Sequence, residues 1–146
     1  MKQILAEALG RFEGEGVWRD EAGDSRRYRV EMVLADLPGG GLRCSFRHTF
    51  FEEDTPEVVQ SLDFVAGSES ILSFRMQGLP YAGRGYFGRD LLHYTIPIPG
   101  NSVEVTHFFT SDGVVVAGSS ERNSRGRYIM WEERLLKIAA TERNEG

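Results

Sequence analysis

The chain has 146 residues, enough for one domain. A hydrophobic share of 40% and a charged share of 27% exclude a disordered chain and mark an ordinary soluble globular protein. The formal net charge of −5, spread along the sequence, argues against a binder of nucleic acid phosphates, and the single Cys44 excludes an intrachain disulfide.

The first nine residues contain no apolar run long enough for a secretory signal. No stretch approaches the ~20 apolar residues of a membrane-spanning helix. With one reduced cysteine, a cytoplasmic location is expected.

In chain order, residues 2–9 read as a short helix. Ile4, Leu5, Ala8 and Leu9 share one face, and Gly10 ends it. A helix this short needs docking, and an open barrel end would supply it. Strict alternation then begins. Phe12, Gly14, Gly16 and Trp18 share a face, then Tyr28, Val30, Met32 and Leu34, then Leu42, Cys44, Phe46, His48 and Phe50. The cluster Arg26-Arg27-x-Arg29 reads as a solvated strand edge that discourages pairing between sheets. Leu62 and Phe64 continue the pattern, followed by Leu72, Phe74 and Met76. Extended segments follow near 83–88 and over 91–98. Val103, Val105, His107 and Phe109 form another apolar face. Segments 114–121 and 126–136 close the series. Gly, Pro, Asp and Ser separate the segments, and the connections are short. The pattern predicts an all-β, up-and-down antiparallel barrel of eight to ten strands with a short N-terminal helix.

Leu9-Gly-Arg-Phe-Glu-Gly-Glu-Gly-Val-Trp18 resembles the start of the calycins: lipocalins, fatty-acid-binding proteins and bacterial lipocalin-like domains. Gly16-Val-Trp18 fits their Gly-x-Trp element. A second alignment, on the nitrobindin pattern, puts Phe12 at a Trp position and Gly14 and Gly16 at two Gly positions. Arg127-Tyr-Ile-Met-Trp-Glu-Glu-Arg-Leu135 is similar to a closing lipocalin-like strand. The resemblance implies one lipocalin-like barrel over residues 1–146 that binds a small apolar or amphipathic molecule.

The expected cavity wall is Tyr28, Met32, Phe46, Phe64, Phe74, Met76 and Phe109, with His48 and His107 as polar anchors. Each histidine sits on an apolar face, where it would meet a ligand or be a core histidine satisfied by a Tyr or a carbonyl. His93 falls on the opposite face from Leu92 and Tyr94. Arg84 and Tyr86 share a face. In fatty-acid-binding proteins an Arg-x-Tyr pair holds a carboxylate inside the barrel, and the other reading is an outward Arg beside a packed Tyr. In the last strand, Tyr128, Met130, Glu132, Arg134 and Leu136 oppose Ile129, Trp131, Glu133 and Leu135, and both sets are amphipathic. With the first set inward, Arg134 would pack over Trp18 as the closing Arg of lipocalins does. The pairs Glu13/Glu15 and Glu132/Glu133 read as solvated.

No zinc spacing, phosphate loop, nucleophile elbow or dinucleotide fingerprint is present. The expected function is therefore noncatalytic ligand binding, with no catalytic residue, metal or cofactor assigned. The alternatives are a haem-binding nitrobindin-like protein and a cavity-based isomerase or lyase with an inward His as base. The expected partner is a small hydrophobic or amphipathic molecule, with no nucleic acid and no membrane span. A filled barrel would instead point to an interaction module, such as a homodimer through an exposed sheet face.

Overall fold

The computed structural model describes residues 8–67, 70–123 and 125–139. The helix expected over 2–9 lies outside these residues except at its end, where Ala8 is buried. Ten strands follow: β1 (Gly10–Asp20), β2 (Ser25–Asp36), β3 (Leu42–Phe50), β4 (Val58–Ala66), β5 (Ile71–Met76), β6 (Ala82–Phe87), β7 (Leu91–Ile98), β8 (Asn101–Phe109), β9 (Gly113–Ser120) and β10 (Ile129–Ala139). Each pairs antiparallel with its sequence neighbour, and β10 pairs back onto β1 to close the barrel. Closure leaves β2 without a free edge, so its arginines have another role. Arg27 pairs outside with Glu15 of β1 at 2.6 Å, and Arg26 pairs at the rim with Glu52 at 2.9 Å.

The period-two pattern sets the faces. In β2, Tyr28, Val30, Met32 and Leu34 are buried while Arg27, Arg29 and Glu31 are exposed. A one-residue slip would exchange these sets, so the register with β1 and β3 is tightly specified. Burying each of the large apolar side chains contributes roughly 1.5–3 kcal/mol.

The barrel is filled at one end and hollow at the other. At the end holding the β2–β3, β4–β5, β6–β7 and β8–β9 turns, Phe12, Leu34, Leu42, Phe64, Leu72, Leu92 and Leu135 pack into a dense core. The aromatic trio Phe64, Phe74 and Tyr94 closes the top of this core. Their centroids lie 5.2–5.4 Å apart, with Tyr94 edge-on to both phenylalanines. Above the trio the interior opens toward the β1–β2, β3–β4, β5–β6, β7–β8 and β9–β10 connections.

Candidate functional site

The hollow end holds a cavity of about 350 Å³. Its mouth is ringed by Trp18, Phe50, Val58, Val103 and Ile129, and its wall includes Met32, Phe46, Leu62, Met76, Ile96, Val105, Val116 and Trp131. Tyr94 and His107 form part of the lower wall. Of the residues expected to line a cavity, Tyr28, Met32, Phe46, His48, Met76 and His107 meet in this one space.

The others lie elsewhere. Phe64 and Phe74 are buried beneath the cavity in the filled half, where they support Tyr94. Phe109 sits toward the opposite end, beside a surface depression with Phe12, Arg89 and Asp90. Arg84 and Tyr86 are exposed, because in β6 the inward positions belong to Gly85 and Phe87. They form no internal carboxylate site. Tyr86 instead packs outside against His93, whose Nδ1 lies 2.8 Å from Thr106 Oγ1.

The last strand supplies what the sequence pattern left open. Its inward face is Ile129, Trp131, Glu133 and Leu135, while Glu132 and Arg134 are exposed. Arg134 therefore does not cover Trp18. Arg26 does, from the neighbouring strand, with its guanidinium carbon 5.9 Å from the ring. Glu133 is not solvated either: it is only 4% exposed and lines the cavity.

A buried carboxylate requires donors. Tyr28 Oη donates to Glu133 Oε2 at 2.8 Å, and His48 Nε2 lies 3.2 Å from the same oxygen. The three side chains come from β2, β10 and β3. Strand pairing aligns Glu133 with Gly16 and Gly16 with Tyr28, so a glycine separates the two partners in the sheet. A Cβ at Gly16 would stand 2.6 Å from Tyr28 Cζ and 2.7 Å from Glu133 Cγ. The missing side chain is what lets the phenol reach the carboxylate. Gly118 of β9 has the same relation to Trp131, whose indole lies across it. His48 is held between the rings of Tyr28 and Phe46, at 4.6 and 4.8 Å.

Burial, then the neighbouring Glu133 charge, pushes the Tyr28 phenol far above its ordinary range. The phenol therefore stays protonated as a donor. His107 is enclosed, and its Nε2 lies 3.3 Å from Tyr94 Oη. Burial lowers its pKa to about 4, against an opposing pull from Glu133, so the ring is neutral near pH 7. Its Nδ1 is buried with no hydrogen-bond partner among the described residues. Cys44 is fully buried, and burial, then Glu133, pushes its thiol up to about 12. Among the described residues no group of three or more His, Cys, Asp or Glu is placed to hold a metal ion.

Sequence reasoning missed Glu133 and Trp131. The parity of Leu135 with Trp131 and Ile129 carried the signal, but Tyr128, Met130 and Leu136 made the opposite face equally apolar.

A closed up-and-down barrel with one hollow end is the calycin-like architecture. The structure resembles that of an S-type phycobiliprotein lyase, CPES, from Guillardia theta, with a TM-score of 0.77 over 96% of this chain and 93% of that one, at 10% identity. It also resembles Rv2717c from M. tuberculosis, with a TM-score of 0.68, 12% identity, and 94% and 96% of the two chains covered. A protein of unknown function from the DUF3598 family of Nostoc punctiforme PCC 73102 matches at a TM-score of 0.63 and 13% identity, over 92% of this chain and 49% of that one. At such identities the likeness is one of fold. No family model matches the chain, and no curated protein matches it in sequence.

Proposed function

We propose that this chain binds a small apolar or amphipathic molecule inside the hollow end of its barrel. The observation that carries the reading is the cavity of about 350 Å³, walled by aromatic, Met and aliphatic side chains, with one polar cluster of Tyr28, Glu133 and His48. A few fixed polar groups in an otherwise apolar pocket are the ordinary build of a small-molecule site. Met32 and Met76 suit an adaptable fit. The chain shares its fold with a phycobiliprotein lyase from Guillardia theta.

Native mass spectrometry of freshly purified protein, with an absorbance scan of the same sample, tests the reading. The expected result is a bound small-molecule mass, or uptake of a neutral apolar probe by the emptied protein. Absence of both contradicts it. A Soret band in the same scan would favour the haem alternative.

A second reading, a cavity-based isomerase or lyase, draws support from Glu133 against His48 on the cavity wall. A carboxylate steadying an imidazole is an arrangement used in proton transfer. In this reading His48 is the base. Its test is a product formed from a bound ligand and lost in His48→Gln while binding persists. Unchanged turnover in that variant removes the reading.

A further inference from the structure

The cavity's own charge bears on the head group of its ligand, granted the binding reading above. Among the described residues, no Lys or Arg lines the cavity, while Glu133 does. At the rim, Arg26 is engaged by Glu52 and Thr55, each at 2.9 Å.

Both contacts of Glu133 fall on one of its two oxygens. Tyr28 donates to Oε2, and His48 Nε2 faces that same oxygen. Oε1 accepts from none of the described residues. Attraction between a carboxylate oxygen and a donor is stronger in an apolar cavity than in water. A second polar atom in the same wall, His107 Nδ1, is enclosed and has no hydrogen-bond partner among the described residues. The two residues belong to one belt of the barrel: His107 pairs with Val116, and Val116 pairs with Glu133.

We infer that the site selects amphipathic molecules whose polar end is a protonated nitrogen, seated on Glu133 Oε1, and that it rejects carboxylates. An ammonium group gives Oε1 a charge-assisted hydrogen bond. A fatty carboxylate would place a like charge beside Glu133 with no cation to receive it. This preference is opposite to the one an internal Arg84–Tyr86 pair would confer.

Decylamine, 1-decanol and decanoate share a tail and differ in the head group. Each is titrated near pH 7 against protein loaded with Nile red, and dye displacement is read. Decylamine is expected to displace the dye about tenfold more tightly than decanol, the scale of one charge-assisted hydrogen bond, with decanoate weakest. Glu133→Gln brings the amine to the level of the alcohol, while Glu133→Asp keeps the amine first. Decanoate binding as tightly as decylamine, or an amine preference that survives Glu133→Gln, overturns the inference. Should Glu133→Gln fail to fold, the wild-type series decides: an amine no tighter than the alcohol overturns it. Binding of all three probes without a head-group order refutes the inference alone. Failure of Nile red and of every probe refutes the cavity reading beneath it.

Discussion

Gly16→Ala is the sharpest test of how the polar cluster is built. The new Cβ would stand 2.6 Å from Tyr28 Cζ and 2.7 Å from Glu133 Cγ, where ordinary contact begins at 3.4 Å. Both side chains must therefore retreat by roughly 0.7–0.8 Å, an overpacking that costs about 1–3 kcal/mol. Gly16 is not among the glycines with positive φ. The loss of unfolded-state entropy therefore returns roughly 0.4–1 kcal/mol. At the middle of each range the net destabilisation is about 1.3 kcal/mol, or a fall in Tm of about 4 °C for a chain of this size. Urea unfolding and a thermal melt measure it. In a Tyr28→Ala background the ring is gone and the same change should cost less. A Gly16→Ala protein as stable as wild type would refute the reasoning, as would an equal cost in both backgrounds.

Three further outcomes follow from the interior. His107 has a folded pKa of about 4 against an ordinary 6.5, so the unfolded chain binds the extra proton between those values. Stability therefore falls as the pH drops through 6.5 toward 4 and levels off below; wild type should lose up to about 3 kcal/mol more than His107→Gln over that window. Equal pH profiles in urea titrations would contradict this. Cys44, fully buried with its thiol pushed up to about 12, should ignore a thiol-reactive dye in native protein and react once urea unfolds the chain. Fast native labelling would show that the filled half opens. Phe74→Ala removes a ring from beneath Tyr94 and should cost roughly 3–5 kcal/mol in urea unfolding, whereas a loss below 1 kcal/mol would mean that the trio is not a packed floor.

The regular alternation in β2 and β3 made the fold legible. Once Leu34 and Cys44 are inward, parity carries Tyr28, Met32, Phe46 and His48 with them. Parity says nothing about height along the barrel. Phe64 and Phe74 are as inward as Phe46, yet they fill the lower half, because depth depends on strand stagger and on the sizes of facing side chains. Parity also fails where both faces are mixed. In β6, glycines hold inward positions, and the bulk of Arg84 and Tyr86 points to solvent. In β10 a buried glutamate reads as a surface residue until Tyr28 and His48, about a hundred residues earlier in the chain, are seen to face it. Such long-range pairing leaves no local trace except Gly16, whose missing side chain makes room for it.

The most direct test of the central claim is a Nile red titration of wild type beside two single variants. Val103→Trp places an indole at the cavity mouth, and Leu136→Ser removes an apolar side chain that is 60% exposed on the outer face. Saturable binding to wild type that is lost in Val103→Trp and kept in Leu136→Ser is the predicted result. Binding that survives Val103→Trp and disappears with Leu136→Ser would place the apolar site on the outside of the barrel and contradict the account.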